Sequence, residues 1–589
     1  MRISLRNLLV TGLLLPSLAL LAGAQKPSPS TQGNFDGPAE LPRLHVRSSL
    51  ADTPTPGKTR TVHAGDNLGQ TLNQAACGDT IKLEAGAVFS GRFVLPEKKC
   101  DDAHWIVLRT SAPDSALPPE GSRLTPCYAG VASLPGRPAY PCPDAKNVLA
   151  RIEFPGKGSG PIVFADGANH YRLMGLEITR STPDGSLTSL VTIDPKSTAS
   201  YVILDRVWVH GTAQSETTRG LQLGGSTYAA VVDSYFSDLH CIALTGACTD
   251  AQAISGGLGP NPMGPYKIEN NFLEGSGEAV FFGGGFAAGP PSDIEIRRNH
   301  MFRPLTWMKD SPEFVGGADG HPFIVKNIFE LKNGQRVLFE NNVLENCWGG
   351  FSQEGFGILL TPKNQGDHKC PECLVLDVTI RYSKIKNVGA GFQIANVPTT
   401  FKAIAKDGGR YSIHDVLVEN LDGERFHGNG LLFQISAAGV PLHDVTIDHV
   451  TGMASKTLLM VGAKTDEPKI ANLVFTNNLI GGARFEISST GGGPQNCAYH
   501  PEAQRPAGIF ENCFSNAKVA GNVIIGGSKW PPKNSTVKHH SEIGFLAADK
   551  DQVHDFRLGS DSRYKKAGTD QKDVGADIDA IEAATKGVL

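Results

Sequence analysis

The sequence has few of the features that direct a chain to a membrane or to nucleic acid. After residue 24, no stretch reaches about 18 uninterrupted apolar residues, the length that a membrane-spanning helix needs. Its 59 acidic residues against 55 basic ones leave no positive excess, and no basic block occurs. Amphipathic helical patterns are scarce. These absences argue against a membrane span, a nucleic-acid partner and a mainly helical fold.

The first 24 residues have the pattern of an export signal. Arg2 and Arg6 precede an apolar run from Leu8 to Leu21, and the small residues Ala22-Gly23-Ala24 follow it. This pattern is typical of a secretory signal peptide, here cleaved after Ala24. We therefore expect a secreted or periplasmic monomer. Residues 25–59 are rich in Pro, Ser and Thr without an apolar period, which predicts a disordered leader.

The 11 cysteines fall mostly into pairs that are close in sequence. These pairs are Cys77/Cys100, Cys127/Cys142, Cys241/Cys248, Cys370/Cys373 and Cys497/Cys513. In an exported chain such pairs favour disulfides over metal ligands, and Cys347 is left over. Cys370-Pro-Glu-Cys373 also has the spacing of half a zinc site, although no second Cys-x-x-Cys occurs to complete it.

A short phrase recurs from Tyr171 to Gly527, in which apolar residues flank a polar or glycine pivot. The pivots lie at positions 175, 205, 233, 270, 298, 341, 382, 415, 449, 477 and 521, which are 28 to 44 residues apart. Such a period indicates stacked structural repeats. Together with 67 Gly, 38 Pro and strands rich in Val, Ile and Phe, it predicts an all-β chain. A β-sandwich or a propeller would show hairpin turns every 8–12 residues or Trp-Asp signatures, and the sequence shows neither.

Two segments carry a resemblance to a known superfamily. Residues 78–93, GDTIKLEAGAVFSGRF, and residues 568–584, GTDQKDVGADIDAIEAA, resemble the first and last segments of secreted right-handed parallel β-helix proteins of the pectate-lyase-like superfamily. The resemblance implies a single-stranded right-handed parallel β-helix of about eleven or more coils. It would comprise an N-terminal cap and first coils (60–170), repeats (171–530) and a closing segment (531–589). Asn67–Ala76 and Asp577–Ala584 would be short capping helices.

Where the period stretches, long turns can wall a groove on the outside of the coils. The stretched intervals are 233–270, 298–341 and 341–382. Strict alternation around Phe329 and Leu331 places these two side chains in the core and turns Lys326, Glu330 and Lys332 outward. The Asn residues at the pivots are expected to hydrogen-bond from coil to coil as a ladder.

A groove that mixes cations and carboxylates suits an acidic, uronate-containing polysaccharide. We predict catalytic roles for Lys326, Glu330, Lys332, Lys363 and Arg381, and substrate contacts for Arg297, His300, Trp307, Trp348 and Asp377. β-Elimination needs a cation to neutralise the uronate carboxylate and a base to remove the C5 proton. Hydrolysis needs two carboxylates flanking one bond, for which Glu330 and Asp377 are candidates if their coils are neighbours. A non-catalytic glycan-binding or cell-surface structural protein is the alternative.

No cofactor is required by this pattern, although Glu274 and Glu278 could hold Ca²⁺, which prefers oxygen ligands. Residues 270–278 are loosely similar to the calcium-binding region of the chondroitinase B and alginate lyase family. In that family a catalytic Lys is expected shortly afterwards. Here Phe281-Phe282-Gly283-Gly284-Gly285 stand instead, so neither that activity nor its calcium site is carried over.

Overall fold

The computed structural model describes residues 34–182, 185–399, 402–499, 506–549 and 552–589. The predicted signal peptide and residues 25–33 of the predicted leader lie outside the described residues. In the described part, successive coils contribute strands that pair in parallel with the equivalent strands of the next coil. The predicted all-β, parallel β-helical fold is therefore confirmed.

Each coil contributes up to three strands, which we call its first, second and third strands. The first strands are Thr59–Val62, Thr80–Leu83, Ile106–Thr110, Asn169–Met174, Ser200–Asp205, Thr227–Val232, Tyr266–Glu269, Ser292–Arg297, Gly334–Glu340, Ile470–Ala471, Val474–Thr476, Phe514–Ser515 and Lys518–Ala520. The second strands are Val88–Ser90, Ala150–Phe154, Leu176–Arg180, Trp208–His210, Tyr235–Ser237, Phe272–Glu274, His300–Phe302, Val343–Cys347, Leu479–Gly481, Val523–Ile525 and Ser535–Val537. Three longer strands serve as first and second strands together: Leu374–Val388, Asp407–Leu421 and His443–Met453.

The third strands form a separate parallel sheet of twelve strands, in agreement with the expected eleven or more coils. They are Phe93–Leu95, Gly158–Phe164, Leu187–Ile193, Arg219–Gln222, Gln252–Gly256, Glu278–Phe282, Phe329–Leu331, Phe356–Leu360, Ala390–Asn396, Leu431–Ala437, Thr457–Ala463 and Phe485–Ser489. Short antiparallel pairs lie outside the coils at Phe35–Asp36 with Ala39–Glu40, Gly349–Gly350 with Gln353–Glu354, and Phe545–Ala548 with Val553–Leu558. We call the outer surface of the twelve-strand sheet the third face.

The recurring pivots mark the bend between first and second strands. Ten of the eleven pivot positions have a positive φ, from 46° at Tyr382 to 73° at Gly521, and in the remaining coil Arg206 takes this conformation next to the pivot Asp205. A left-handed residue turns the chain sharply without lengthening the coil, and Asn, Asp and Gly tolerate this conformation better than most residues. This requirement explains why pivots are enriched in those residue types.

The predicted Asn ladder forms, and its members are the residues that follow the pivots. Asn271 donates from Nδ2 to Asn299 Oδ1 at 3.0 Å, and Asn299 donates in the same way to Asn342 at 3.1 Å. A second ladder joins Asn478 to Asn522 at 2.8 Å. These amides are buried, so each hydrogen bond satisfies groups that water cannot reach.

Apolar side chains stack from coil to coil inside the helix. Val280, Phe329 and Ile358 occupy equivalent positions on three successive third strands and are fully buried. Burying such a side chain contributes about 1.5–3 kcal/mol relative to leaving it exposed. Phe329 and Leu331 face this core as predicted, which turns the side chains of Glu330 and Lys332 to the third face.

The helices of the described part are Leu68–Gln74, Gln365–His368, Pro506–Cys513 and Ile578–Ala584. Leu68–Gln74 forms where a cap is predicted, and its Leu68 and Leu72 complete the first layer of the core. At the other end, Ile509 and Phe510 of Pro506–Cys513 join the core. Ile578–Ala584 also forms, and it packs against Leu417 on the outside of the coils. No helix in the described ranges is long and apolar enough to cross a membrane.

An N-terminal strap, residues 34–56, corrects the prediction of disorder for residues 34–59. The strap lies on the outside of the first strands, and Thr59 already begins a strand. The backbone N–H of Glu40 donates to Asp377 Oδ1 at 3.0 Å, and that of Arg43 donates to Asp293 Oδ1 at 2.9 Å. A segment without an apolar period is thus ordered by carboxylates on the sheet surface, which its own composition does not reveal.

The five predicted cysteine pairs are all disulfides, and Cys347 is free and buried. The bond between Cys370 and Cys373 rules out the half zinc site at that position. Several disulfides in one chain fit an oxidising, extracellular environment.

Candidate functional site

Six charged residues interact at the third strands and the stretched turns, and we call them the third-face cluster. The cluster consists of Asp250, Glu278, Lys326, Glu330, Lys332 and Lys363. Strand register brings them together from successive coils, because Glu330 pairs with Phe281 one coil away. The backbone N–H of Lys332 donates to Phe282 O at 2.8 Å, and that of Lys363 donates to Lys332 O at 3.0 Å. Lys332 and Lys363 are therefore direct neighbours on stacked coils.

Two carboxyl groups of the cluster are almost completely buried. Glu278 is 1% exposed and Glu330 is 2% exposed. Glu278 Oε2 accepts a hydrogen bond from Gln252 Nε2 at 2.9 Å, and Glu330 Oε2 accepts one from Asn327 Nδ2 at 3.0 Å. Burial, together with the negative charges of Glu330 and Asp250, raises the pKa of Glu278 to about 7. Glu278 can therefore hold a proton at neutral pH.

The cations of the cluster differ in the direction of their pKa shifts. Lys332 Nζ lies 3.4 Å from Glu330 Oε1 and 4.8 Å from the centre of the Phe281 ring. Burial alone would lower the pKa of Lys332, but the charges of Glu330, Glu278 and Asp250 outweigh it and raise the pKa. Lys332 stays protonated over the whole physiological range.

Lys363 is in the opposite situation. Its Nζ donates to Val397 O at 2.8 Å, and it has no ion pair among the described residues. Burial, reinforced by the positive charge of Lys332, lowers the pKa of Lys363 to about 8. The adjacent lysines thus supply a permanent cation and an amine that loses its proton near neutral pH, which is what a general base requires.

Asp250 and Lys326 complete the cluster as an ion pair between two long turns. The pKa of Asp250 is lowered, because Lys326, Lys332 and Arg219 outweigh the effect of its burial. Arg219 is a residue that the sequence interpretation did not include. Arg219 pairs with Gln252 on the next third strand, and Gln252 pairs with Glu278 on the one after it. Only this strand pairing reveals that Arg219 is close to the cluster.

Phe281 was also missed as a site residue. The alternation that places Val280 and Phe282 in the core turns Phe281 outward, under the Lys332 ammonium. This signal is present in the sequence, since Phe281 lies one position from two core residues in a strand of period two. A cation over an aromatic face is held in a defined position without being neutralised.

Three predicted site residues lie on first strands, away from the third face. Arg381 pairs with Glu340 at 2.8 Å and with Asp36 of the strap at 2.6 Å. Arg297 pairs with Glu295 at 2.7 Å. Asp377 is fully buried beneath the strap, so it cannot act with Glu330 as a hydrolytic pair. Alternation correctly turned these side chains outward, but it does not tell which of a coil's faces a strand occupies.

Other predicted residues belong to second strands and to buried clusters. His300 Nε2 lies 3.0 Å from Glu345. Both oxygens of Glu274 are bonded to Arg137, at 2.7 Å and 2.8 Å, so a Ca²⁺ ion at the predicted Glu274–Glu278 pair would have to displace Arg137. Trp307 is 1% exposed and Trp348 is 5% exposed, and both pack in one apolar cluster. Neither indole ring offers a face to a sugar.

No family model matches the chain. No curated protein matches it either. Among solved structures it is similar to the catalytic domain of a GH87 alpha-1,3-glucanase in complex with tetrasaccharides, with a TM-score of 0.47 and 11% identity over 81% of this chain and 70% of that chain.

Two lyases are also similar in structure. Pectate lyase Pel9A gives a TM-score of 0.36 and 11% identity over 89% of this chain and 97% of that chain. The PL6 family alginate lyase AlyGC gives a TM-score of 0.45 and 13% identity over 88% of this chain and 58% of that chain. At such identities, the substrates of those enzymes are not transferred to this chain.

Proposed function

We propose that the third-face cluster is the active site of a polysaccharide lyase that cleaves an acidic, uronate-containing polysaccharide by β-elimination. The observation that carries the proposal is the placement of Lys332 and Lys363 side by side on stacked coils, next to the buried carboxyl groups of Glu278 and Glu330. An acidic sugar needs a fixed positive charge, a base and an acid within one site. The cluster offers one group for each task.

The three tasks follow from the charges of the groups. Lys332, which remains protonated, would neutralise the C6 carboxylate and so make the C5 proton more acidic. Lys363 in its neutral form would take that proton, and the electrons of the C5–H bond would form the C4–C5 double bond as the C4–O bond breaks. Glu278 in its protonated form would give its proton to the departing oxygen.

This assignment has a specific consequence for pH. The base must be deprotonated and the acid protonated, but the pKa of Lys363 is about 8 and that of Glu278 is about 7. The productive combination is therefore a minority form, most populated between the two values. We expect a bell-shaped dependence of the rate on pH, with a maximum between about pH 7 and 8. Its two apparent pKa values describe Lys363 and Glu278 as an interacting pair and are not assigned to one residue each.

The test is to incubate the purified protein with alginate, polygalacturonate and chondroitin sulfate and to follow the absorbance of the unsaturated uronate product. Lys363→Gln and Glu278→Gln should each lower kcat by about 10²–10⁴-fold, the usual contribution of a general acid or base. Lys464→Gln removes an exposed lysine outside the cluster and serves as the matched control.

Two results would contradict the proposal. New reducing ends without the unsaturated product would point to hydrolysis. Binding of a polymer without any cleavage would point to the non-catalytic glycan-binding alternative.

A further inference from the structure

A second aromatic feature lies on the first strands, away from the third-face cluster. Trp105, His170, Tyr201 and Tyr228 occupy the same position on four successive coils, because the residues that follow them pair in register. The rings of His170 and Tyr201 are stacked at 4.4 Å, and those of Tyr201 and Tyr228 at 4.7 Å with an interplanar angle of 1°. We call this row the aromatic ladder.

The ladder borders a cavity of about 450 Å³ on the outside of the coils. One wall is the N-terminal strap, which contributes residues 45–47, 51, 52 and 54, and the other is the turn at Asp102 and Ala103. Val46 of the strap packs with Trp105 and fixes the strap over the first coils. A cavity of this size is within the range of small-ligand sites, which combine aromatic walls with a few polar groups.

The polar groups of the cavity are suited to hydroxyl groups. The rings of Tyr201 and Tyr228 are parallel, and both side chains are only partly buried. Within the described residues, neither phenol hydroxyl has a hydrogen-bond partner. Because one ring is contributed per coil, the two hydroxyls form a row along the axis of the β-helix. Each can donate one hydrogen bond and accept others.

The acidic, basic and imidazole groups that line the cavity all have partners. Arg47 lies 2.5 Å from Asp52, which also lines the cavity. Asp102 lies 3.2 Å from His170 of the ladder, and His45 lies 3.0 Å from Glu295 on the neighbouring first strand. The carboxylate of an acidic sugar would have to compete with these pairs. Sugar hydroxyl groups would not, since they can bond the phenols and the free lone pairs of the exposed Asp102 carboxylate, and the sugar ring can pack on the apolar ring edges.

We propose that this cavity is a glycan-binding site, separate from the third-face cluster, which holds a hydroxyl-rich oligosaccharide along the aromatic ladder. The choice of a sugar as ligand rests on the proposed function, whereas the existence of the site rests on the cavity itself. Its role would be to retain a long polysaccharide on the protein while another part of that chain occupies the third face. Short substrates would not benefit from it.

The experiment measures binding of three probes by calorimetric titration: hexamers of galacturonate, of mannuronate and of β-1,4-linked glucose. The test variant is the double substitution Tyr201→Phe/Tyr228→Phe, which keeps the stacked rings and removes both hydroxyls. Tyr499→Phe, at an exposed tyrosine elsewhere, is the control. At least one hexamer should bind the wild type, and the double variant should raise its Kd about tenfold or more, with an unchanged Tm. Lys332→Gln should leave this binding intact.

Three results would overturn the proposal. They are no binding of any hexamer, equal binding by the wild type and the double Phe variant, and loss of binding in Lys332→Gln alone. The last result would place the glycan on the third face only. Failure of the proposed function is seen in a different measurement, as the absence of cleavage by the wild type. If the third face is catalytic, the double Phe variant should still cleave short substrates at the wild-type rate.

Discussion

Glu278→Gln should make the protein more stable at pH 8 while leaving its stability near pH 4 unchanged. The Glu278 carboxyl is fully buried and accepts a hydrogen bond from Gln252. A Gln amide has the same shape and can still accept that bond. The substitution therefore removes a buried charge and little else.

The magnitude follows from the pKa of Glu278, which burial and the charges of Glu330 and Asp250 raise from 4.5 to about 7. Below pH 4.5 the carboxyl is protonated in both the folded and the unfolded chain, and it contributes no pH-dependent difference. Between pH 4.5 and 7 the unfolded chain ionises but the folded chain does not, so folding becomes less favourable. Above pH 7 both states are ionised, and the difference no longer grows. At about 1.4 kcal/mol per pKa unit, the full difference is about 3 kcal/mol.

The measurement is thermal unfolding of both proteins at pH 4, 6 and 8. With an unfolding entropy of about 2 cal/mol/K per residue, 3 kcal/mol corresponds to a rise in Tm of about 2–3 °C for a chain of 589 residues. Glu467→Gln is the control. The hydrogen bond to Lys464 lowers the pKa of Glu467, so removing this carboxylate should lower the Tm at pH 8 instead of raising it.

An unchanged or lower Tm for Glu278→Gln at pH 8 would refute this reasoning. It would mean that the neighbouring lysines stabilise the Glu278 carboxylate in the folded protein enough to offset its burial, so that its pKa is not raised. The same variant should lose catalytic activity under the proposed function, so a gain in stability with a loss of turnover is the combined expectation.

Two further predictions concern the strap and the Asn ladder. Burial opposes the protonation of His414, but its hydrogen bonds to Asp36 and Asp415 outweigh burial and raise the pKa of His414 to about 9. This stabilisation is complete below pH 6.5 and is lost as the pH rises through 9, so the wild-type Tm should fall between pH 7 and 10 more steeply than that of His414→Gln. Asn299→Ala should reduce the free energy of unfolding by about 3 kcal/mol, because it leaves the buried hydrogen-bond partners of the Asn299 side chain unsatisfied. Asn73→Ala, at an exposed position of the helix Leu68–Gln74, should change it by about 0.5 kcal/mol or less in denaturant titrations.

The sequence predicted the coils because their pattern is local. The pivots reflect a left-handed residue needed at every bend, and the apolar residues beside them fill the core of the same coil. The disulfides were predictable for a similar reason, since each joins cysteines within one turn or between neighbouring ones. Glu330 and Lys332 were also placed correctly on the outside by alternation around Phe329 and Leu331. Lys326 lies in the turn before this strand, where alternation does not hold, because Ile328 packs in the core.

The sequence could not assign the outward residues to a face. Arg381 and Asp377 alternate just as clearly as Glu330, but they lie on first strands and hold the N-terminal strap. The number of residues in each turn decides which strand of a coil a segment becomes, and turn length varies from coil to coil. Trp307 and Trp348 were misplaced for a related reason, because long turns can fold over and bury their own aromatic rings.

By itself, the sequence determined an all-β chain of stacked coils, the side of each strand that faces the core, and the five disulfides. These features depend on spacing along the chain, which is the same whether or not the chain is folded. The tertiary structure alone decided that Glu278, Glu330, Lys332 and Lys363 come together in one cluster, and that a segment of low apolar content is ordered as a strap. These features depend on strand register and on charges brought together from separate coils, and the pKa values of the cluster exist only once that register has formed.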